Sequence, residues 1–180
     1  MPCFLAIRCS RWLDASSAHG EGEEVKRSEI NDIIRAGDAF IRSFGFLLPP
    51  FAYWSPQQML DRRAEIGGIL GARLGWDITD YGQGRYGELG LFLFTLRNGS
   101  EADLRRGGGM CYAEKIMISR QDQISPMHRH IVKAEDIINR GGARLGCGCS
   151  RPTTPGRSTA SGGRRWRPTA CSARSTRARS

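Results

Sequence analysis

The sequence predicts a mainly β protein of the α+β class, in which N-terminal helices precede an antiparallel sheet or barrel. Three observations lead to this prediction. Apolar residues recur at helical spacing over residues 28–44, a helix-capping pattern follows at Ser55, and the chain from residue 89 onward contains short apolar segments separated by turn signals. Helices followed by a run of short strands favour an α+β fold with an antiparallel sheet.

The first helix is predicted over residues 28–44, because its apolar side chains follow a period of about 3.6 residues. The stripe consists of Ile30, Ile33, Ile34, Gly37, Phe40, Ile41 and Phe44. Ser28 is a suitable residue to cap the helix start, and Gly45 is suited to its end.

A second, shorter helix is predicted after an extended segment. Two adjacent prolines in residues 47–54 restrict that segment to extended backbone. Residues 55–58, with the sequence Ser-Pro-Gln-Gln, form a capping box with proline at the first helical position. We expect the helix to run to about Ile66 and to end at Gly67-Gly68.

Strands are predicted in the second half of the chain. Residues 89–96 form an apolar and aromatic segment that is typical of a strand, and residues 113–119 and 124–130 are predicted to be two further strands. Asn98-Gly99 is a strong signal for a tight turn, and Gly141-Gly142 closes the segment. No internal repeat is present.

Composition limits the class of protein. A chain of 180 residues can form one domain, and no apolar run approaches the length of a membrane span. The formal charge of +9 would favour a nucleic-acid partner, but eight arginines lie in residues 146–180, where no acidic residue or lysine occurs. The other residues hold 19 basic and 18 acidic side chains. We therefore expect neither nucleic acid nor membrane as a partner.

The composition of residues 146–180 suggests that this tail is out of frame. It contains only Arg, Ser, Gly, Thr, Ala, Pro, Cys and one Trp, all of which have GC-rich codons. Back-translation in a shifted frame permits an alternating strand pattern and a turn. The expected tail is therefore disordered and non-native. The alternative is an Arg-rich disordered tail that binds RNA or an anionic surface.

Residues 1–24 are interpreted as a non-native or disordered extension, and we expect their deletion to leave solubility unchanged. They show no amphipathic period, and Val25 could be encoded by a GTG start codon. Cys111 is the only cysteine in residues 25–145. A domain with one cysteine and no export signal is typical of the cytoplasm.

One group of residues has the side chains and the spacing of a metal-binding site. His128 and His130 are two apart, so in a strand both imidazoles face the same side. Glu135 follows after a spacing that allows a turn to bring the next strand alongside. Two histidines and a carboxylate suit Mn²⁺, Fe²⁺, Co²⁺ or Zn²⁺.

The pattern H-x-H-x(4)-E-x(6)-G from His128 to Gly142 resembles the first metal motif of the cupin superfamily of small β-barrels. The motif's usual glycine is Asp122 here. Longer strings resemble the D-lyxose ketol-isomerase family over about residues 25–145. These are VKRSEIN at 25–31, FGFLLPPFAYWSP at 44–56, LGWDITDYG at 74–82, LFTLRNG at 93–99, YAEKIMI at 112–118, and SPMHRH with EDIINRGG within 125–142.

The resemblance implies a metal-dependent aldose–ketose isomerase that interconverts D-lyxose and D-xylulose, and often D-mannose and D-fructose, through an enediol. His128, His130 and Glu135 match three of four Mn²⁺ ligands, and Co²⁺ is an alternative metal. Lys115 matches a catalytic lysine that contacts the sugar. Three further residues lie in the family-like strings and are expected to have structural rather than catalytic roles: Trp54, Asp77 and Arg97. The alternative function is a non-enzymatic cupin that binds a sugar or a metal.

The resemblance stops near Leu145, before the second metal motif of the family. The fourth ligand and the carboxylates for proton transfer would lie beyond it. We therefore expect an incomplete barrel preceded by helices, and an inactive chain. A homodimer is the expected assembly of a full-length form.

Overall fold

The computed structural model describes residues 3–10, 26–129, 134–150 and 170–176. Its α-helices are α1 (Arg27–Ser43), α2 (Pro56–Asp61), α3 (Gly67–Gly71) and α4 (Glu101–Arg105). A 3₁₀ helix over Pro50–Tyr53 lies in the segment 47–54, so the prediction that all of this segment is extended was wrong. Its strands are β1 (Cys3–Ser10), β2 (Gly75–Thr79), β3 (Leu91–Asn98), β4 (Ala113–Ser119), β5 (Ile124–Arg129), β6 (Ala134–Gly141), β7 (Arg144–Ser150) and β8 (Ala170–Thr176). In this part of the chain, no helix is long and apolar enough to cross a membrane.

The strands form two open antiparallel sheets. The first has the order β2-β3-β4-β1-β6, and the second has the order β5-β8-β7. Neither sheet closes into a barrel within the described residues. The prediction of an α+β fold with an incomplete antiparallel β structure is confirmed.

The hydrophobic core lies between α1 and the first sheet. Ile33 and Ile41 of α1 pack with Phe92 and Phe94 of β3 and with Ile116 of β4, and all five are at most 4% exposed. Phe94 also contacts the aromatic rings of Phe51 and Trp76. Buried aliphatic and aromatic side chains each contribute about 1.5–3 kcal/mol relative to exposure, so this cluster is the main stabilising contact of the sheet.

The first helix has the predicted end but a different start. Lys26 is the N-cap residue, no side chain caps the helix, and Ser28 lies within the first turn. The Ser28 cap was therefore wrongly predicted. Gly45 has a φ of +70° and follows the last turn, where its N–H donates to the Arg42 carbonyl, so the predicted glycine end is confirmed.

The capping box at Ser55 is confirmed. The Ser55 hydroxyl accepts from the Gln58 N–H at 3.2 Å, and the Ser55 N–H donates to the Gln58 side chain at 2.8 Å. The helix ends at Asp61 and not at Ile66. Gly67 and Gly68 do not end it but begin α3, because both keep helical backbone angles and neither has a positive φ.

The Asn98-Gly99 pair does not form a tight hairpin, and this prediction was wrong. The connection from β3 to β4 contains α4 instead. The Asn98 amide donates to the Ala72 carbonyl at 2.6 Å, and the Gly99 N–H donates to the Tyr112 carbonyl at 3.1 Å. A Cβ on Gly99 would lie 2.0 Å from the Met110 carbonyl oxygen, so glycine is required for close packing and not for a two-residue turn.

The other strand predictions differ in their accuracy. β4 has the predicted bounds, whereas β3 lies two residues later than predicted. β5 begins at Ile124 as expected and is described to Arg129, and His130 lies outside the described residues. β2 was not predicted.

The two terminal segments contain strands where disorder was expected. β1 lies between β4 and β6 and pairs with both, and β8 pairs with β5 and β7. Residues 11–25, 151–169 and 177–180 lie outside the described part. Whether these segments are native stays a prediction. A loss of stability on deleting residues 1–24 would show that β1 belongs to the sheet.

The close packing of α1 on β3 can be tested at Gly37. A Cβ at this position would lie 2.5 Å from two atoms of the Phe92 ring. We expect Gly37→Ala to lower the Tm, because overpacking costs about 1–3 kcal/mol and exceeds the gain of about 1 kcal/mol that alanine brings to a helix interior. The matched control is Gly68→Ala, where a Cβ would meet nothing within 4 Å. Equal stability of Gly37→Ala and the unmodified chain would contradict this packing.

Candidate functional site on the face of the first sheet opposite α1

The first sheet has two chemically different faces. Phe94 and its cross-strand partner Ile116 lie on the face covered by α1. Because successive residues of a strand alternate between faces, Thr95 and its partner Lys115 lie on the opposite face. Thr95 is only 5% exposed and Lys115 is half-buried. A charged side chain therefore sits on a largely enclosed sheet face.

Glu135 lies on the same face as Lys115. Lys115 is paired with Ile7 of β1, and Ile7 is paired with Ile137 of β6. Residues directly opposite share a face, as do residues two apart on one strand, so Glu135 shares the face of Ile137 and Lys115. Glu135 is also half-buried. The structure thus brings two of the predicted site residues to one face, with β1 between their strands.

His128 is placed at the level of the backbone only. It is in β5, and its side chain and the whole of His130 lie outside the described part. β6 begins at Ala134, so Glu135 is in the next strand along the chain, as predicted. Residues 130–133, between β5 and β6, lie outside the described part.

Among the side chains that are described, no three His, Cys, Asp or Glu residues form a group that could hold a metal. The ligand set of His128, His130 and Glu135 therefore stays a prediction. Its donor chemistry fits a divalent ion such as Mn²⁺ or Co²⁺, since imidazole nitrogens and a carboxylate suit both. The described strands do not pair as this set requires, because β5 pairs with β8 in the second sheet and β6 pairs with β1 in the first.

The turn before β5 has a backbone conformation that accommodates Asp122, which stands where the resembled motif usually has glycine. Asp122 has a φ of +61°. This left-handed conformation is favourable for glycine, and aspartate adopts it at lower cost than most other residues. The backbone conformation of the turn is one that glycine would adopt easily.

A buried side chain attaches this turn to the loop after β2. Gln123 is 0% exposed, its amide nitrogen donates to the Tyr86 carbonyl, and its amide oxygen accepts from the Arg120 N–H at 2.9 Å. The Arg120 guanidinium lies 4.8 Å from the centroid of the Tyr86 ring. Burial raises the pKa of Tyr86, and the Arg120 charge opposes that rise. A fully buried amide with both ends bonded fixes the start of β5.

The main chain adds a second attachment. The Ile124 N–H donates to the Glu88 carbonyl at 2.8 Å, and the Gly90 N–H donates to the Ile124 carbonyl at 3.3 Å. A Cβ on Gly90 would lie 2.5 Å from the Tyr86 carbonyl oxygen, so only glycine permits this approach. The segment before β3 therefore pairs with the first residue of β5.

Sequence reasoning missed the loop that begins at Asp80. Asp80 is 8% exposed, and its carboxylate accepts from the Gly82 N–H at 2.9 Å and from the Gly84 N–H at 2.7 Å. Asp followed by closely spaced glycines is a turn signal, and it could have indicated this loop. The hydroxyl of Tyr81 lies 3.3 Å from the hydroxyl of Ser125 in β5.

The three residues assigned structural roles are outside the loop after β2 in the sequence. Trp54 is covered by the Arg62 guanidinium, 4.9 Å from its ring centroid. Arg97 donates to the Tyr112 hydroxyl at 3.1 Å. Asp77 is exposed on β2. The contacts of Trp54 and Arg97 agree with structural roles.

Comparison with known proteins gives a consistent assignment. A family model described as D-lyxose isomerase matches residues 25–160. The chain is 46% identical to a D-lyxose/D-mannose isomerase of Serratia proteamaculans and 47% identical to one of Escherichia coli O157:H7, over 123 residues in each case. These alignments cover 67% of this chain and 53% of each relative, so the chain spans about half their length. With a family match over most of its residues, the chain belongs to the D-lyxose isomerase family.

Proposed function

We propose that this chain forms the metal- and sugar-binding part of an aldose–ketose isomerase, which interconverts D-lyxose with D-xylulose and D-mannose with D-fructose. The observation that carries the proposal is the strand register, which puts Lys115 and Glu135 on one face of the first sheet, away from α1. Both names of the matched relatives include D-lyxose and D-mannose, which supports the choice of substrates.

The reaction removes a proton from the carbon next to a carbonyl, passes through an enediol and returns the proton to the neighbouring carbon. Negative charge develops on the sugar oxygens during proton removal. The Lys115 ammonium, half-buried on the face opposite α1, would donate a hydrogen bond to the oxygen that gains charge. A charge-assisted hydrogen bond is stronger in a partly enclosed site than in water, so it would favour the transition state.

His128, His130 and Glu135 would hold the divalent ion, Mn²⁺ or Co²⁺. When bound, the ion would supply electrostatic stabilisation of the sugar oxygens. Glu135 lies on the face that carries Lys115, so one sugar could be contacted by both the ion and the lysine. The two histidines are on β5 or directly after it.

Proton transfer also needs a base, and we assign that role to no residue described here. We infer that the base and a fourth ligand come from the part of the relatives that this chain does not span. The 180-residue chain alone would then bind the ion with three ligands and lack turnover. The carboxylate base would act within hydrogen-bond reach of the sugar C2 proton.

The proposal is tested in a completed chain, in which residues 1–145 are joined to the C-terminal half of the Escherichia coli relative. We expect Lys115→Met in this completed chain to lower kcat for D-lyxose by about 10²–10³, as is typical when one donor to a developing oxyanion is removed. The measurement is the formation of D-xylulose together with exchange of the C2 proton in deuterated water.

The control variant is Lys26→Met, because Lys26 is exposed at the start of α1. It should keep the kcat of the completed chain. If Lys115→Met keeps full activity as well, Lys115 has no catalytic role. If neither the completed chain nor its Lys26→Met variant exchanges the C2 proton of D-lyxose while both are folded and metal-loaded, the isomerase proposal fails.

A further inference from the structure

We propose that Tyr81 is a positioning residue for the metal centre, which acts through Ser125 to hold β5, the strand of His128. This inference rests on the proposed function, since it assumes that His128 binds the divalent ion. Tyr81 is in the loop after β2, and 44 residues of sequence separate it from Ser125. The contact therefore joins two parts of the chain that only the tertiary fold brings together.

The backbone of Tyr81 is held in an uncommon conformation. Its φ is +58°, in the left-handed region, which costs a residue other than glycine roughly 1–2 kcal/mol. The Tyr81 N–H donates to the Thr79 hydroxyl at 3.0 Å. The buried Asp80 carboxylate accepts from the N–H groups of Gly82 and Gly84 on the far side of the tyrosine. These hydrogen bonds hold the backbone of the loop in one conformation, and this sets the direction of the Tyr81 side chain.

The phenol of Tyr81 is suited to a lasting hydrogen bond. Burial raises its pKa, the Ser125 hydroxyl opposes the rise and the Asp77 charge adds to it. The group therefore stays protonated through the neutral range. Its oxygen lies 3.3 Å from the Ser125 oxygen, and both residues are half-buried, so water competes weakly for the bond.

A bulge in β5 puts Ser125 and His128 on the same face of the second sheet. Ser125 is opposite Ala173 of β8, and His128 is opposite Cys171. Two residues of β5 thus lie opposite one residue of β8, as in a β-bulge, and the first of the two is Pro126, which lacks an N–H for the ladder. Because Ala173 and Cys171 are two apart, their partners Ser125 and His128 share a face.

The Tyr81 contact is therefore nearer to His128 along β5 than the other attachments of this strand are. The Gln123 amide and the Ile124 main chain fix the first residues of the strand. Tyr81 adds a contact beyond them, on the face of His128 and next to the bulge. Groups that orient metal ligands from outside the ligand set commonly change metal affinity by about 10–100-fold when removed.

The test measures Mn²⁺ affinity and backbone protection in the full chain. Tyr81→Phe keeps the ring and removes the hydroxyl, and Ser125→Ala removes its partner. We expect each variant to weaken Mn²⁺ binding roughly 10-fold, measured from the electron paramagnetic resonance signal of free Mn²⁺. The double variant should be no weaker than either single variant, because both remove the same bond. Amides of residues 121–129 should exchange faster in the metal-free variants.

The matched control is Tyr53→Phe, which removes the phenol that donates to Asp38 beside α1. It should change neither the Mn²⁺ affinity nor the exchange of residues 121–129. If the unmodified chain binds Mn²⁺ and Tyr81→Phe binds it equally well, the positioning role is overturned and the proposed function stands. If the unmodified chain binds no Mn²⁺, the metal assignment of the proposed function fails, and this inference fails with it. Additive losses in the double variant would also overturn the proposal.

Discussion

The completed chain is expected to convert D-lyxose to D-xylulose in the presence of Mn²⁺, whereas the 180-residue chain is expected to show no turnover. Residues 1–145 supply Lys115, Glu135 and the two histidines, but the chain spans 53% of each matched relative. The added half would supply further strands for the open sheets, a fourth ligand and a base. Proton transfer and electrostatic stabilisation together commonly accelerate reactions by many orders of magnitude. Turnover should therefore be measurable for the completed chain and undetectable for the 180-residue chain.

The informative measurement is D-xylulose formation by both proteins at equal concentrations, with circular dichroism to show that both are folded. A completed chain that carries the His128→Ala and His130→Ala substitutions controls for activity contributed by the added half alone. Turnover by the 180-residue chain at the rate of the completed chain would contradict our proposal that other residues are needed. A folded, Mn²⁺-loaded completed chain without activity would count against the isomerase function.

Replacing His128 and His130 together by alanine is expected to abolish Mn²⁺ binding by the 180-residue chain. Two of three proposed ligands are then lost, and a single carboxylate such as Glu135 does not hold a divalent ion tightly against water. The expected change is from one bound equivalent to none, measured by metal analysis after gel filtration.

The third histidine of the chain provides the control, since His19 lies outside the region that resembles the isomerase family. His19→Ala should bind as much Mn²⁺ as the unmodified chain. Glu135→Gln should weaken binding but keep the backbone of β6, because glutamine retains the size of the side chain. Stoichiometric Mn²⁺ in the double histidine variant would show that the ligands lie elsewhere.

Local sequence signals predicted those elements whose determinants lie within a few residues of each other. Ser55, Pro56 and Gln58 form a capping box within one turn, so the start of α2 was predictable. Gly45 ends α1 because its own φ is positive. β4 has the predicted bounds, and its sequence contains three adjacent apolar residues, Ile116, Met117 and Ile118. The position of Glu135 in the strand after β5 followed from spacing alone.

Tertiary contacts decided the features for which a local signal was absent or was outweighed. Asn98 bonds the Ala72 carbonyl across 26 residues and is followed by α4, although the Asn-Gly pair by itself favours a tight turn. Tyr81 meets Ser125 only because Asp80 and its glycines bend the loop toward β5.

By itself, the sequence determined the class of fold and the candidate ligands, because periodicity, spacing and residue chemistry are local properties, whereas Lys115 was predicted from the resemblance to the isomerase family. The tertiary structure decided which face of the sheet carries Lys115 and Glu135, through the register of three strands. It also decided how β5 is held, through the buried amide of Gln123. Register and buried hydrogen bonds depend on pairs of residues far apart in the chain, and their free energy is gained only when the whole sheet forms.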